Sequence, residues 1–186
     1  MSDARARKTA ERRLRILQAA TALFLEKGVS GATMEGIARA AAVAKPTLYA
    51  YFPDKEAVFR AALDLVIEDH KAMILRALEA EGDVIARVTG ALDAKFTASL
   101  EMIEHAPAAE ELMSKNLHSG QQFAEVQAWL IARLAATLEE AGIDRAPERA
   151  ANLVHSADGL MHASRDAQTL RARIAFITPR LLSDPA

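Results

Sequence analysis

Apolar side chains in this chain return at helical spacing from one end to the other, and no stretch alternates with period two. Ile16, Ala20, Leu23 and Phe24 stand at i, i+4, i+7 and i+8, one stripe along a helix. Val58, Phe59, Ala62, Leu65 and Val66 repeat the pattern toward Leu78, and Ile85, Val88, Leu92, Phe96, Ser99 and Ile103 repeat it again. Ala, Leu, Arg and Glu, all strong helix formers, dominate the composition. The expected fold class is all-α.

Punctuation sets the helix boundaries. Gly28 follows the first stripe, where a left-handed residue ends a helix. Thr33 precedes Met34–Ala41 and is placed to cap a short second helix. Pro46 suits the first turn of a third short helix, Thr47–Phe52, and Asp54 starts a long fourth one. Further helices are expected over about 84–104, 108–116, 121–141, 147–164 and 167–182, with Pro179 kinking or shortening the last.

The 186 residues are 51% apolar and 26% charged, enough for one domain or two small ones. There are no cysteines, so disulfides, thiolate metal sites and cysteine nucleophiles are excluded. No apolar run approaches the length of a membrane span, and the basic N-terminal segment lacks the apolar core of a signal peptide. A cytoplasmic location, with no membrane partner, is expected. The net charge of −2 conceals a split. Residues 1–60 hold 11 Lys+Arg against 6 Asp+Glu, whereas the remainder holds 12 against 19. A basic front and an acidic rear point to a polyanion partner for the front.

Three helices within 52 residues, the second and third short and joined by a tight turn, form the arrangement that seats one helix in the major groove of DNA. Ile37, Ala38, Val43 and Leu48 fill the positions where the two short helices cross. Lys45, Thr47, Tyr49, Tyr51 and Lys55 remain around them to meet phosphates.

These residues resemble the TetR family of bacterial transcriptional regulators. The likeness runs through Ile16–Ala20, Leu23-Phe24, Gly28, Thr33, Ile37-Ala38, Val43, Thr47–Phe52 and Lys55-Glu56, about residues 12–60. It implies a helix-turn-helix DNA-binding domain over 1–52 and a helical effector-binding and dimerisation domain over 53–186. It also implies phosphate contacts from Thr33, Tyr49, Tyr51 and Lys55, with Lys45, Pro46 and Thr47 facing the groove. The implied partners are an operator duplex, a second copy bound through the last two helices, and a small-molecule effector; the implied function is a repressor released from a palindromic operator by that effector. Two positions depart from the family pattern. Ala42 stands where glycine is common, at a cost of about 1 kcal/mol in a left-handed turn. Ala44 replaces a serine that would cap the third helix, at a cost of about 1 kcal/mol.

In the rear part, Phe96, Ser99, Ile103, Asn116, Trp129, His155 and Asp158 are the candidate ligand-binding residues: large apolar groups with a few polar ones, the chemistry of small-molecule pockets. His155, Asp158 and His162 share one helix face at i, i+3 and i+7, which suits an interface or pocket wall better than a metal, since no zinc motif accompanies them. No metal site, cofactor or catalytic residue is assigned, because neither a phosphate-binding glycine loop nor a G-x-S-x-G elbow occurs. Two other readings stand beside the ligand-released repressor: a DNA-binding regulator without a small-molecule effector, and a helical metal-dependent enzyme built on the His155 face.

Overall fold

A computed structural model of the chain describes residues 2–105 and 117–183. Among the described residues every regular element is an α-helix: α1 (Ser2–Gly31), α2 (Met34–Ala40), α3 (Lys45–Tyr51), α4 (Lys55–Leu78), α5 (Val84–His105), α6 (Leu117–Glu140), α7 (Ala146–His162) and α8 (Ala167–Leu182). The expected helix over 108–116 lies outside the described residues. None of the described helices is long and apolar enough to cross a membrane.

Caps foreseen from residue type are made. Thr33 Oγ1 accepts from the Gly36 amide at 3.0 Å, and Asp54 Oδ1 accepts from the Ala57 amide at 2.7 Å. Asp83 and Asp166 do the same for α5 and α8, at 2.8 and 2.7 Å. Gly28 adopts φ 70° and breaks α1 one turn before its end. One boundary differs from expectation. The helix expected from Gln121 begins at Leu117 and runs through Gly120, since one glycine inside a helix is a tolerable cost. Pro179 does not shorten α8, which continues to Leu182. So near the end of a helix, proline removes one hydrogen bond and leaves little helix to disrupt.

The chain divides into two compact units, with a boundary inside α4 between Glu68 and Asp69. The first unit is held by a core of Ile16, Leu17, Phe24, Ile37, Leu48, Phe52, Val58 and Phe59. Phe24 and Phe59 meet edge to face at 5.5 Å between ring centroids. This core extends beyond residue 52 into the front of α4. In the second unit Leu92, Phe96, Leu130, Leu134, Leu138, Leu153 and Ile174 are all fully buried, and α8 packs on both α5 and α7. Each such side chain contributes about 1.5–3 kcal/mol of burial free energy.

Candidate nucleic-acid interface

The α2–turn–α3 motif stands on α1 through close contacts. Leu48 and Ile37 are fully buried in the core to which α1 contributes Ile16, Leu17 and Phe24, and Ala38 is 5% exposed. Gly36, a position the sequence reading passed over, marks a close approach: a Cβ there would lie 3.2 Å from both Leu23 Cδ2 and Thr33 Oγ1. The turn itself is a Schellman ending. The Ala42 amide donates to the Arg39 carbonyl at 3.1 Å and the Val43 amide to the Ala38 carbonyl at 3.0 Å. Ala42 occupies the left-handed position with φ 51°, and Ala44 makes no side-chain cap bond to α3. Arg15 reaches from α1 to close the turn from outside, its Nε donating to the Ala41 carbonyl at 3.1 Å.

This framework turns one face of α3 outward. Lys45 and Pro46 are exposed, Tyr49 is 44% exposed, Thr47 and Tyr51 are half-buried, and Leu48 holds the helix down. Tyr51 leans on Phe52 at 6.5 Å between centroids, and the Arg13 guanidinium lies 5.5 Å from the same Phe52 ring. Thr33 is exposed; its oxygen accepts the cap bond, which leaves the hydroxyl proton for another acceptor. Lys45 Nζ donates to Glu35 Oε1 at 2.6 Å. That hydrogen bond, reinforced by Coulomb attraction, holds the Glu35 carboxyl below its usual range and raises the Lys45 ammonium. Both groups are open to water, so the pair adds little to the stability of the fold.

Lys55, expected at the phosphates, makes its contacts here within the fold. Its ammonium donates to the carbonyls of Val29 at 2.6 Å, Ala32 at 3.0 Å and Ser30 at 3.5 Å. Through these bonds the lysine ties the end of α1 to the start of α4. Sequence reasoning missed this because the acceptors are backbone groups 23 to 26 residues away.

In the second unit the candidate ligand-binding residues divide. Phe96 is fully buried and Ser99 is 6% exposed, its hydroxyl bonded to its own helix at the Lys95 carbonyl. Ile103, Trp129 and Asp158 are half-buried, whereas His155 is exposed. Asn116 lies outside the described residues. His162 is exposed as well, with Nδ1 2.9 Å from the Asp158 carbonyl oxygen. Two of the three residues on the His155, Asp158 and His162 face are thus exposed and one half-buried, and among the described residues no three His, Asp or Glu gather as a metal set. Lys95 is the functional candidate that sequence reading passed over. Its Nζ stands 4.0 Å from the centroid of the buried Phe96 ring, and burial pushes the ammonium below its usual range, against a smaller opposing pull from Asp158. His70 is lowered too, by burial first and then by the Lys95 charge. The available signal was a lone lysine in the apolar run of α5.

Comparison with known proteins agrees with this geometry. Residues 16–62 match the family described as bacterial regulatory proteins, tetR family. The HTH-type transcriptional activator FasR of Mycolicibacterium smegmatis is 32% identical over 106 residues, 57% of this chain and 47% of that protein. An HTH-type transcriptional regulator of Mycobacterium tuberculosis is 30% identical over 113 residues, 58% of each chain. The chain thus spans about half the length of the curated relatives it matches. In overall fold it is similar to a TetR-family transcriptional regulator from Streptomyces coelicolor, with TM-score 0.72 and 20% identity over 97% of this chain and 93% of that one. The reduced form of Escherichia coli NemR gives TM-score 0.71 and 19% identity over 95% and 99% of the two chains. Motif, core and fold converge on one region: residues 16–62 match the tetR family of bacterial regulatory proteins, and the described helices share the fold of solved TetR-family regulators.

Proposed function

We propose that this chain is a sequence-specific DNA-binding transcriptional regulator, a homodimer that represses from a near-palindromic operator and is released by a small-molecule effector. The observation that carries the reading is the outward row of Lys45, Pro46 and Tyr49 on α3, a helix held on a buried Leu48. In this reading Lys45, Pro46 and Thr47 face the bases, and Thr33, Tyr49 and Tyr51 hold phosphates. Lys55 supports them by fixing the framework. A second copy joins through α7 and α8, where Phe176 is 61% exposed. Two-fold symmetry then sets the recognition helices about 34–36 Å apart.

The effector reading is supported by the titratable groups that α4, α5 and α7 supply to a unit with an apolar core: His70, Lys95 and Asp158. Release follows if the ligand prefers the conformation that DNA does not, and a coupling of about 1–3 kcal/mol would weaken operator binding about 5–150-fold. FasR is named as an activator, so the sign of regulation is measured separately, by transcription from the selected site.

Selection of duplexes from a random pool by the purified protein tests the core of this reading. An enriched inverted repeat is expected, with half-sites one helical turn or a multiple of it apart. Recovery of unrelated sequences, bound weakly and with steep salt dependence, would reduce the protein to a basic helical surface.

A further inference from the structure

The front of α1 extends well past the core it serves. Its first buried side chain is Ile16, yet the helix begins at Ser2, and residues 4–15 are exposed except for a half-buried Arg12. Nothing apolar explains these turns: Leu14 is the only large apolar side chain among them, and it is 43% exposed. What they carry is ordered charge. Arg5, Lys8, Arg12 and Arg15 stand at i, i+3, i+7 and i+10, so they form one stripe along the helix. The acid within residues 4–15, Glu11, borders the stripe, three residues after Lys8 and four before Arg15. Among the described residues no salt bridge neutralises Arg5, Lys8 or Arg12.

The direction of the stripe is set by its last member. Arg15 Nε bonds the Ala41 carbonyl in the turn between α2 and α3, and Arg13, two residues earlier, lies over Phe52 at the end of α3. Both contacts fall within the first compact unit, so the stripe leaves the helix-turn-helix motif at the turn. From Arg15 back to Arg5 it covers about 15 Å at 1.5 Å per residue, the length of four to five base pairs.

We propose that Arg5, Lys8 and Arg12 form a phosphate-tracking stripe that grips duplex DNA flanking the bases read by α3. The inference rests on the DNA-binding reading above and extends its footprint beyond the motif. The chemistry is that of guanidinium and ammonium groups on phosphodiesters, without base readout, so its contribution is the same for every flanking sequence.

The experiment measures affinity for the selected operator across a salt series, on a short duplex and on one lengthened by about six base pairs at each end. The parent protein, the triple variant Arg5→Gln, Lys8→Gln, Arg12→Gln, and Lys27→Gln as a charge control are compared. Lys27 is exposed and sits at the far end of α1. Glutamine keeps helix propensity, and circular dichroism confirms that α1 persists. The parent is expected to bind the long duplex more tightly than the short one, and the triple variant to lose that gain. Its slope of log affinity against log salt should fall by about 2 to 3, at about 0.9 for each phosphate that is no longer neutralised. An unchanged slope and an unchanged flank dependence, with the parent still selecting an operator, would overturn the stripe alone. A parent that binds no duplex would overturn both readings.

Discussion

The two units of this chain handle charge in opposite ways. In the first, the ionisable side chains proposed to act on DNA lie outside a closed apolar core, where water solvates them at no cost to the fold. In the second, Lys95 and His70 are drawn among apolar neighbours, and burial disfavours the charged form of each. Asp93 shows a third solution: it accepts from Thr97 Oγ1 and is gripped by Arg171 Nε at 3.0 Å, so its charge is matched. The difference separates display from retention. A surface charge keeps its water, whereas burial of Lys95 costs more than the attraction of Asp158 returns.

The comparison can be broken most forcefully through the apolar cores. Leu48→Ala in the first unit and Leu134→Ala in the second remove fully buried side chains, and each should cost about 2–5 kcal/mol in urea titrations. Equal costs would place the difference between the units in their polar groups alone. Next in size is Lys55→Ala. If the lysine is a strut, the variant should lose about 1.5–3 kcal/mol of stability, the worth of hydrogen bonds from a charged donor, while the salt slope of DNA binding stays unchanged. A preserved stability with a shallower slope would return Lys55 to the phosphates.

For the second unit, Lys95→Met should raise Tm by about 2–4 °C, the shift that 1 kcal/mol makes in a chain of this size. The pH dependence has a definite sign. Both Lys95 and His70 have pKa values lowered by folding, so the unfolded chain binds more protons and stability rises with pH across each window. For His70 the gain comes between its lowered value and 6.5, and for Lys95 between its lowered value and 10.5. Denaturation curves against pH should lose the acid-side slope in His70→Gln and the alkaline one in Lys95→Met.

A smaller test swaps two helix endings. Ala42 and Gly142 hold the same left-handed place in two Schellman turns, with φ 51° and 72°. In the second, the Gly142 amide bonds the Glu139 carbonyl at 2.9 Å and the Ile143 amide bonds the Leu138 carbonyl at 3.0 Å. A Cβ at Gly142 meets nothing within 4 Å, so only backbone strain distinguishes the residues. Ala42→Gly should stabilise and Gly142→Ala destabilise, each by about 1 kcal/mol in thermal unfolding. The smallest effect on the fold belongs to Lys45→Ala. Its ion pair with Glu35 is solvated, so Tm should not move, and the DNA salt slope should fall by about 1 if the ammonium transfers to phosphate.

The helices and their boundaries were legible because their causes are local. Thr33, Asp54 and Gly28 act on amides and carbonyls within a turn or so, and apolar spacing declares which face is buried. The left-handed Ala42 and uncapped Ala44 were readable for the same reason. By itself, then, the sequence determined an all-α chain, a helix-turn-helix near its front and the outward residues of α3. Only the tertiary structure decided what the long cations do. A lysine or arginine reaches several ångströms from its backbone and takes the best acceptor in space, wherever that stands in the chain. Lys55 therefore went to carbonyls at the end of α1, Arg15 to the turn after α2, Lys45 to Glu35, and Lys95 onto the face of Phe96.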